Sequence, residues 1–121
     1  EHPDVGSRLN DLAILLNKQG KYAEAKPLHE RAIAISEKVF GPEHPDLGSR
    51  LKDLANLLKH QGKYDEAKPF LERAIAIGEK ALGPGHPDVG SWVNNLAHLL
   101  ASQSKYDEAK PVYERAIALG Q

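Results

Sequence analysis

The residues best able to do chemistry in this chain are its histidines, lysines, asparagines and aspartates. Three of the six histidines stand in identical triplets: His2-Pro3-Asp4, His44-Pro45-Asp46 and His86-Pro87-Asp88. A histidine two residues ahead of a carboxylate could ligate a metal or relay a proton. The spacing argues against both uses. The triplets recur once every 42 residues, and units joined by packed helices sit about 10 Å apart, too far to share a ligand. No pair shows the His-x-x-x-His spacing that places two ligands on one helical face. A nucleophile elbow, a phosphate-cradling glycine loop and a clustered acid pair are also missing from the sequence. We therefore expect no catalytic residue, no metal and no cofactor: the chain is not expected to be an enzyme.

The elements that must position these side chains are set by the same 42-residue period. Gln-Gly-Lys-Tyr (Gln19–Tyr22, Gln61–Tyr64, varied to Gln103-Ser104-Lys105-Tyr106) and Glu-Ala-Lys-Pro (Glu24–Pro27, Glu66–Pro69, Glu108–Pro111) keep strict register with the triplets. A fixed period of this length signals a solenoid, whose units bury their apolar faces only against one another. Leu9, Leu12, Ala13 and Leu16 fall at i, i+3, i+4 and i+7, so Pro3 to about Gln19 is expected to be a first helix. Pro3 suits its first turn and Gly20 its C-terminal cap. A second helix is expected from about Tyr22 to Phe40, stopped by Gly41-Pro42. Both readings repeat at 42-residue intervals, giving units 2–43, 44–85 and 86–121 of one domain, the third shorter than the others. Units one and two differ at 12 positions, so 42 − 12 = 30 are identical. The lack of methionine and the short third unit lead us to expect a piece of a longer array.

Composition narrows the partners. Lys+Arg number 16 and Asp+Glu 17, so neither the basic footprint of a nucleic-acid binder nor the polybasic patch of a membrane-surface protein is present. No apolar run approaches the roughly 18 residues of a membrane span. Cysteine is absent, which fits a reducing compartment and leads us to expect a cytoplasmic protein.

The apolar and small positions of the first helix (Leu9, Leu12-Ala13, Leu16), followed by Gly20, Tyr22, Ala25 and Ala32, resemble the tetratricopeptide repeat. The longer second helix and the Gly-Pro-x-His-Pro-Asp link resemble the 42-residue repeats of kinesin light chains and nephrocystin-like proteins. The resemblance covers essentially the whole chain. It departs from the family pattern in Ala13, Ala55 and Ala97, and in Ser104 where glycine is expected. It implies an all-α, right-handed α-solenoid of three helix-turn-helix units that binds a protein or an extended peptide in a concave groove lined by the first helix of each unit. Position by position the groove would hold Ser7, Asn10, Asp11, Ile14, Asn17 and Lys18 in unit one. Unit two would add Ser49, Lys52, Asp53, Asn56, Lys59 and His60, and unit three Ser91, Asn94, Asn95, His98, Ala101 and Ser102. Asn10, Asn56, Asn94 and Asn95 could each donate to and accept from a peptide backbone. Lys18, Lys52 and Lys59 could meet acidic side chains, with Asp11 and Asp53 repelling acids or orienting the lysines. The bland reading is a solvated helix face with ordinary i, i+4 pairs. The clamp that holds a chaperone's C-terminal carboxylate is not expected, since the matching positions read Asn10, Ile14, Asp53, Ser91 and Asn95. His-Pro-Asp is also the loop signature of J-domain co-chaperones, but its recurrence at each unit boundary fits helix entry better.

Three further positions carry expectations. Trp92, standing where the other units have Arg8 and Arg50, either packs on the preceding unit or anchors a partner. His29, Leu71 and Tyr113 share one position, read as packing tolerance. Gly6, Gly48 and Gly90 either allow a close helix crossing or fray the first turn. An alternative to groove binding is a structural spacer or end-to-end self-association, because Val112, Ile117 and Leu119 would be partly bare at the last unit.

Overall fold

The computed structural model describes residues 3–119. Six helices follow one another: α1 (Pro3–Lys18), α2 (Tyr22–Phe40), α3 (Pro45–His60), α4 (Tyr64–Leu82), α5 (Pro87–Ser102) and α6 (Tyr106–Leu119). No strand occurs among the described residues. Each helix lies within a residue of its sequence-expected limits, because both kinds of boundary are written in local chemistry.

At the helix starts, the His-Pro-Asp triplet acts as a cap. His44 Nδ1 accepts from the Asp46 backbone N–H at 3.1 Å, and His86 Nδ1 accepts from Asp88 N–H at the same distance. Pro45 and Pro87 occupy the first helical position, where a missing N–H costs nothing. His2, the first member of the series, lies outside the described residues. At the turn within each hairpin, Gly20 has φ +76° and Gly62 φ +75°. The Lys21 N–H reaches back to the Leu16 carbonyl at 2.9 Å and the Gly20 N–H to that of Asn17 at 3.0 Å. That bond pair is the Schellman closure, which needs a left-handed residue. Ser104 takes the same conformation at φ 61° without glycine's freedom, and keeps both bonds.

Packing alternates along the chain: α2 lies against both α1 and α3, α4 against α3 and α5, and α6 against α5. The core is therefore a continuous ribbon, densest around α3, where Leu47, Leu51, Leu54, Leu57 and Leu58 are all buried. Ala13, Ala25, Ala55, Ala67, Ala97 and Ala109 are likewise buried, as close helix approach requires. Gly48 and Gly78 receive the Trp92 ring: a Cβ added to either would stand 2.9 or 2.7 Å from it. Trp92 thus packs on the preceding unit, and Gly6 and Gly48 serve close packing within an intact turn, whereas a Cβ on Gly90 would meet only Leu119, at 3.9 Å.

Candidate ligand-binding groove

Polar side chains on α1 and α3 meet in a fixed register. Three bonds between two side chains join α1 to α3, and each links residue i to residue i+43. Arg50 donates to Ser7 Oγ at 3.2 Å, Asn10 Nδ2 donates to Asp53 Oδ2 at 2.9 Å, and His60 Nδ1 lies 3.4 Å from Asn17 Oδ1. The first junction is thus laced by a ladder of its own polar groups, each rung three or seven residues further along the helix.

Two of these rungs reach into the interior. Asn10 is 8% exposed and Asp53 holds Lys52 at 2.9 Å on its other oxygen. Behind Asn10 stands His29, 1% exposed, its Nδ1 3.3 Å from the Asn10 amide oxygen. An amide oxygen only accepts, so the ring donates through Nδ1 and leaves Nε2 buried with no partner among the described residues. Desolvation pushes the His29 pKa below its ordinary value, against a smaller upward pull from the Asp53 carboxylate. At the other rung Arg50, also buried, donates through Nη1 to the Gly6 carbonyl at 3.1 Å and through Nε to Asp46 Oδ2 at 3.2 Å. Asp46 Oδ2 accepts in addition from the buried Ser36 hydroxyl at 2.9 Å.

The sequence offered Asn10 as a ligand donor, but the structure turns it inward and consumes its amide. His29, Arg50 and Ser36 were not among the expected polar groups. Position-by-position comparison does not pair them: Asn10 and His29 become Lys52 and Leu71 in unit two, but unit three combines Asn94 with Tyr113.

At the second junction the same rungs are Ser49 with Trp92, Lys52 with Asn95, and Lys59 with Ser102. None is closed by a bond between the two helices among the described residues. Ser102 donates to the carbonyl of His98 on its own helix, and Lys52 is drawn to Asp53. Asn56, Asn94, Asn95 and Lys59 are half-buried and make no side-chain bond among the described residues. Lys18 and Asp11 are exposed, Ile14 half-buried. His98 is engaged by Tyr113, whose ring meets it edge-on at 5.5 Å and whose hydroxyl lies 3.2 Å from Nδ1. Among the described residues no group of three His, Cys, Asp or Glu is placed to hold a metal, and no helix is long and apolar enough to cross a membrane.

A ribbon of helical hairpins with one polar ladder along its first helices defines a repeat scaffold of the interaction class. The chain belongs to the tetratricopeptide repeat family, whose model matches residues 5–80 and 49–121. Its fold is the right-handed α-solenoid of that family. A putative kinesin light chain from Podosopora anserina with nearly identical TPR-like repeats is similar over 98% of this chain and 56% of its own, with 29% identity and a TM-score of 0.86. BtubC (BKLC) from P. vanneervenii is similar over 100% of this chain and 48% of its own, with 27% identity and a TM-score of 0.91. The TPR domain of Arabidopsis FLU shares the fold at 16% identity, with a TM-score of 0.82 over 95% of this chain and 93% of that domain. The chain spans about half the length of the two kinesin-light-chain-like structures. No curated protein matches it. Tetratricopeptide repeats are non-catalytic scaffolds for protein–protein interaction.

Proposed function

We propose that this array binds an extended peptide segment in the groove lined by α1, α3 and α5, centred on the second junction. The observation that carries this reading is the contrast between the two junctions. The rungs that satisfy one another between α1 and α3 stand open between α3 and α5, leaving Asn95 and Lys59 with unspent hydrogen-bonding capacity, and Asn56 and Asn94 on the same helices are unbonded as well among the described residues. Asparagine donates and accepts at once, which matches a peptide backbone offering both groups. Lys59 and Lys18 supply positive charge, so a segment with one or two acidic residues fits best. Lys52 contributes less than its charge suggests, because Asp53 already neutralises it. Seven residues of α3 separate the Lys52 and Lys59 rungs, about 10 Å along a helix, or about three residues of extended peptide.

The test is capture from a randomised extended-peptide library by the chain and by its Asn56→Ala/Asn95→Ala/Lys59→Glu variant. None of the three side chains bonds to another among the described residues, so the variant should fold. Hits that weaken at least about tenfold in the variant support the groove, the loss of two or three hydrogen bonds at about 0.5–1.5 kcal/mol each. Hits indifferent to the variant sink it.

A further inference from the structure

Within the peptide groove, one carboxylate of the chain stands where the carboxylate of a ligand would stand. Asp53 Oδ1 holds the Lys52 ammonium at 2.9 Å. The two residues are sequence neighbours, and side chains one apart on a helix do not ordinarily face each other. They meet because Asp53 is fixed from elsewhere. Its Oδ2 accepts from Asn10 Nδ2 across the first junction at 2.9 Å, and Asn10 is itself buried and held at its amide oxygen by His29. The Asp53 side chain is 14% exposed and that of Lys52 27%. Both charges thus sit largely out of water, where their attraction is screened less than at an open surface.

Lys52 is therefore drawn to Asp53 and makes no bond to Asn95, its rung partner at the second junction. Lys59, the next lysine along the same face of α3, is differently placed. Its sequence neighbours are Leu58 and His60, and no ion pair engages it among the described residues. Unit three carries Asn95 in the place of Asp53, an amide that offers an acceptor and no charge. Each contact involved lies inside the first junction or within α3, so it does not depend on what flanks the three units.

We propose that Asp53 is a specificity-determining residue of the groove, a built-in carboxylate that occupies Lys52 and limits the bound segment to one acidic residue, met by Lys59. The inference rests on the peptide-binding reading and sharpens it. An acid arriving at Lys52 must displace Asp53. That carboxylate cannot swing away without breaking its bond to Asn10 and leaving a buried amide N–H unpaired. An acid arriving at Lys59 displaces nothing. The two lysines lie about 10 Å apart along α3, so the excluded second acid is the one about three residues from the first.

Selection from the randomised extended-peptide library by the chain, by Asp53→Asn and by Lys52→Gln/Asp53→Asn tests it, each acid of the hits then being exchanged for its amide. Asparagine keeps an acceptor for Asn10 and is the residue of unit three at this place, so unchanged helicity by circular dichroism is expected. Hits of the parent chain should depend on one acid. Hits of Asp53→Asn should depend on a second, about three residues away. Its exchange for the amide should weaken binding about fivefold, as loss of an exposed ion pair at the upper end of its range does. In Lys52→Gln/Asp53→Asn the second requirement should vanish, since the freed ammonium creates it and not the lost negative charge. Hits of Asp53→Asn with the parent's motif overturn the inference and leave the groove standing. A second acid that survives Lys52→Gln does the same, as does a parent motif that already demands two acids at this spacing. No hits from any of the three proteins would overturn the groove itself, and the inference with it.

Discussion

His29 is the residue on which the chemistry of the first junction turns. Its ring is buried, donates to Asn10 through Nδ1 and has an unpartnered Nε2. Protonation would bury a charge and add a donor with no acceptor, so the folded pKa lies below that of the unfolded chain. A depressed histidine pKa means that the unfolded state takes up the proton first. The stability that neutral His29 contributes is present in full above the unfolded value near 6.5, and declines as pH falls below it. Thermal unfolding at pH 7.5 and pH 5 should show a larger drop in Tm for the parent chain than for His29→Leu, which installs the residue unit two uses at Leu71. Equal drops would show that this ring does not govern the pH dependence. Ser104 is a second residue-scale case. Left-handed backbone costs a non-glycine residue about 1–2 kcal/mol, part of which glycine returns as greater loss of freedom on folding. Ser104→Gly should therefore raise stability by about 0.5–1 kcal/mol in a denaturant titration. A neutral or destabilising result would indicate that the serine hydroxyl compensates. The sequence signalled Ser104 because two sister glycines flanked it in register. It did not signal His29 as polar structure, because the partners that bury it come from α1 and α3.

Between elements, the two junctions solve one packing problem in two ways. The first fills the crossing with the Arg50 guanidinium, which bonds to Asp46, and Asp46 bonds in turn to Ser36. The second fills the equivalent space with the Trp92 ring, for which the Ser36 position must shrink to Gly78. The two choices are coupled. Gly78→Ser in the parent chain drives a Cβ to 2.7 Å from the Trp92 ring, and overpacking of this sort costs about 1–3 kcal/mol. In a Trp92→Arg background the same serine gains a partner, since Asp88 stands where Asp46 does. The double variant should be more stable than the sum of the single changes, with a coupling of about 0.5–3 kcal/mol. Strict additivity in a double-mutant cycle would mean that the sites are independent. Helix limits were legible because caps, prolines and left-handed turns are local. The coupled pair was half legible. Arg8, Arg50 and Trp92 could be aligned as variants of one place, but Ser36 and Gly78 lie a helix away, and only packing connects them. The groove was legible as positions and not as availability. Asn10 and Asn95 look alike in sequence, yet one is spent on Asp53 and the other is open.

Across the whole molecule, stability should be graded along the ribbon, because each unit is supported only by its neighbours. α3 and α4 have a unit on either side and carry the most completely buried leucines, whereas α1 leaves Leu12 and Leu15 exposed and α6 leaves Ile117 exposed. Ion pairs do little to level this gradient. Glu37 with Arg73 at 3.8 Å and Glu79 with Arg115 at 2.7 Å recur between successive second helices, but all four side chains are about two-fifths exposed. Pairs this wet contribute about 0–1 kcal/mol. Local opening should therefore begin at α1 and α6 and reach α3 last. Amide hydrogen exchange on dilute protein should show the slowest protons in α3 and α4 and markedly faster ones in α1 and α6. Uniform protection across all six helices would mean that the array opens as one cooperative body, and that the end faces contribute more than their exposure implies.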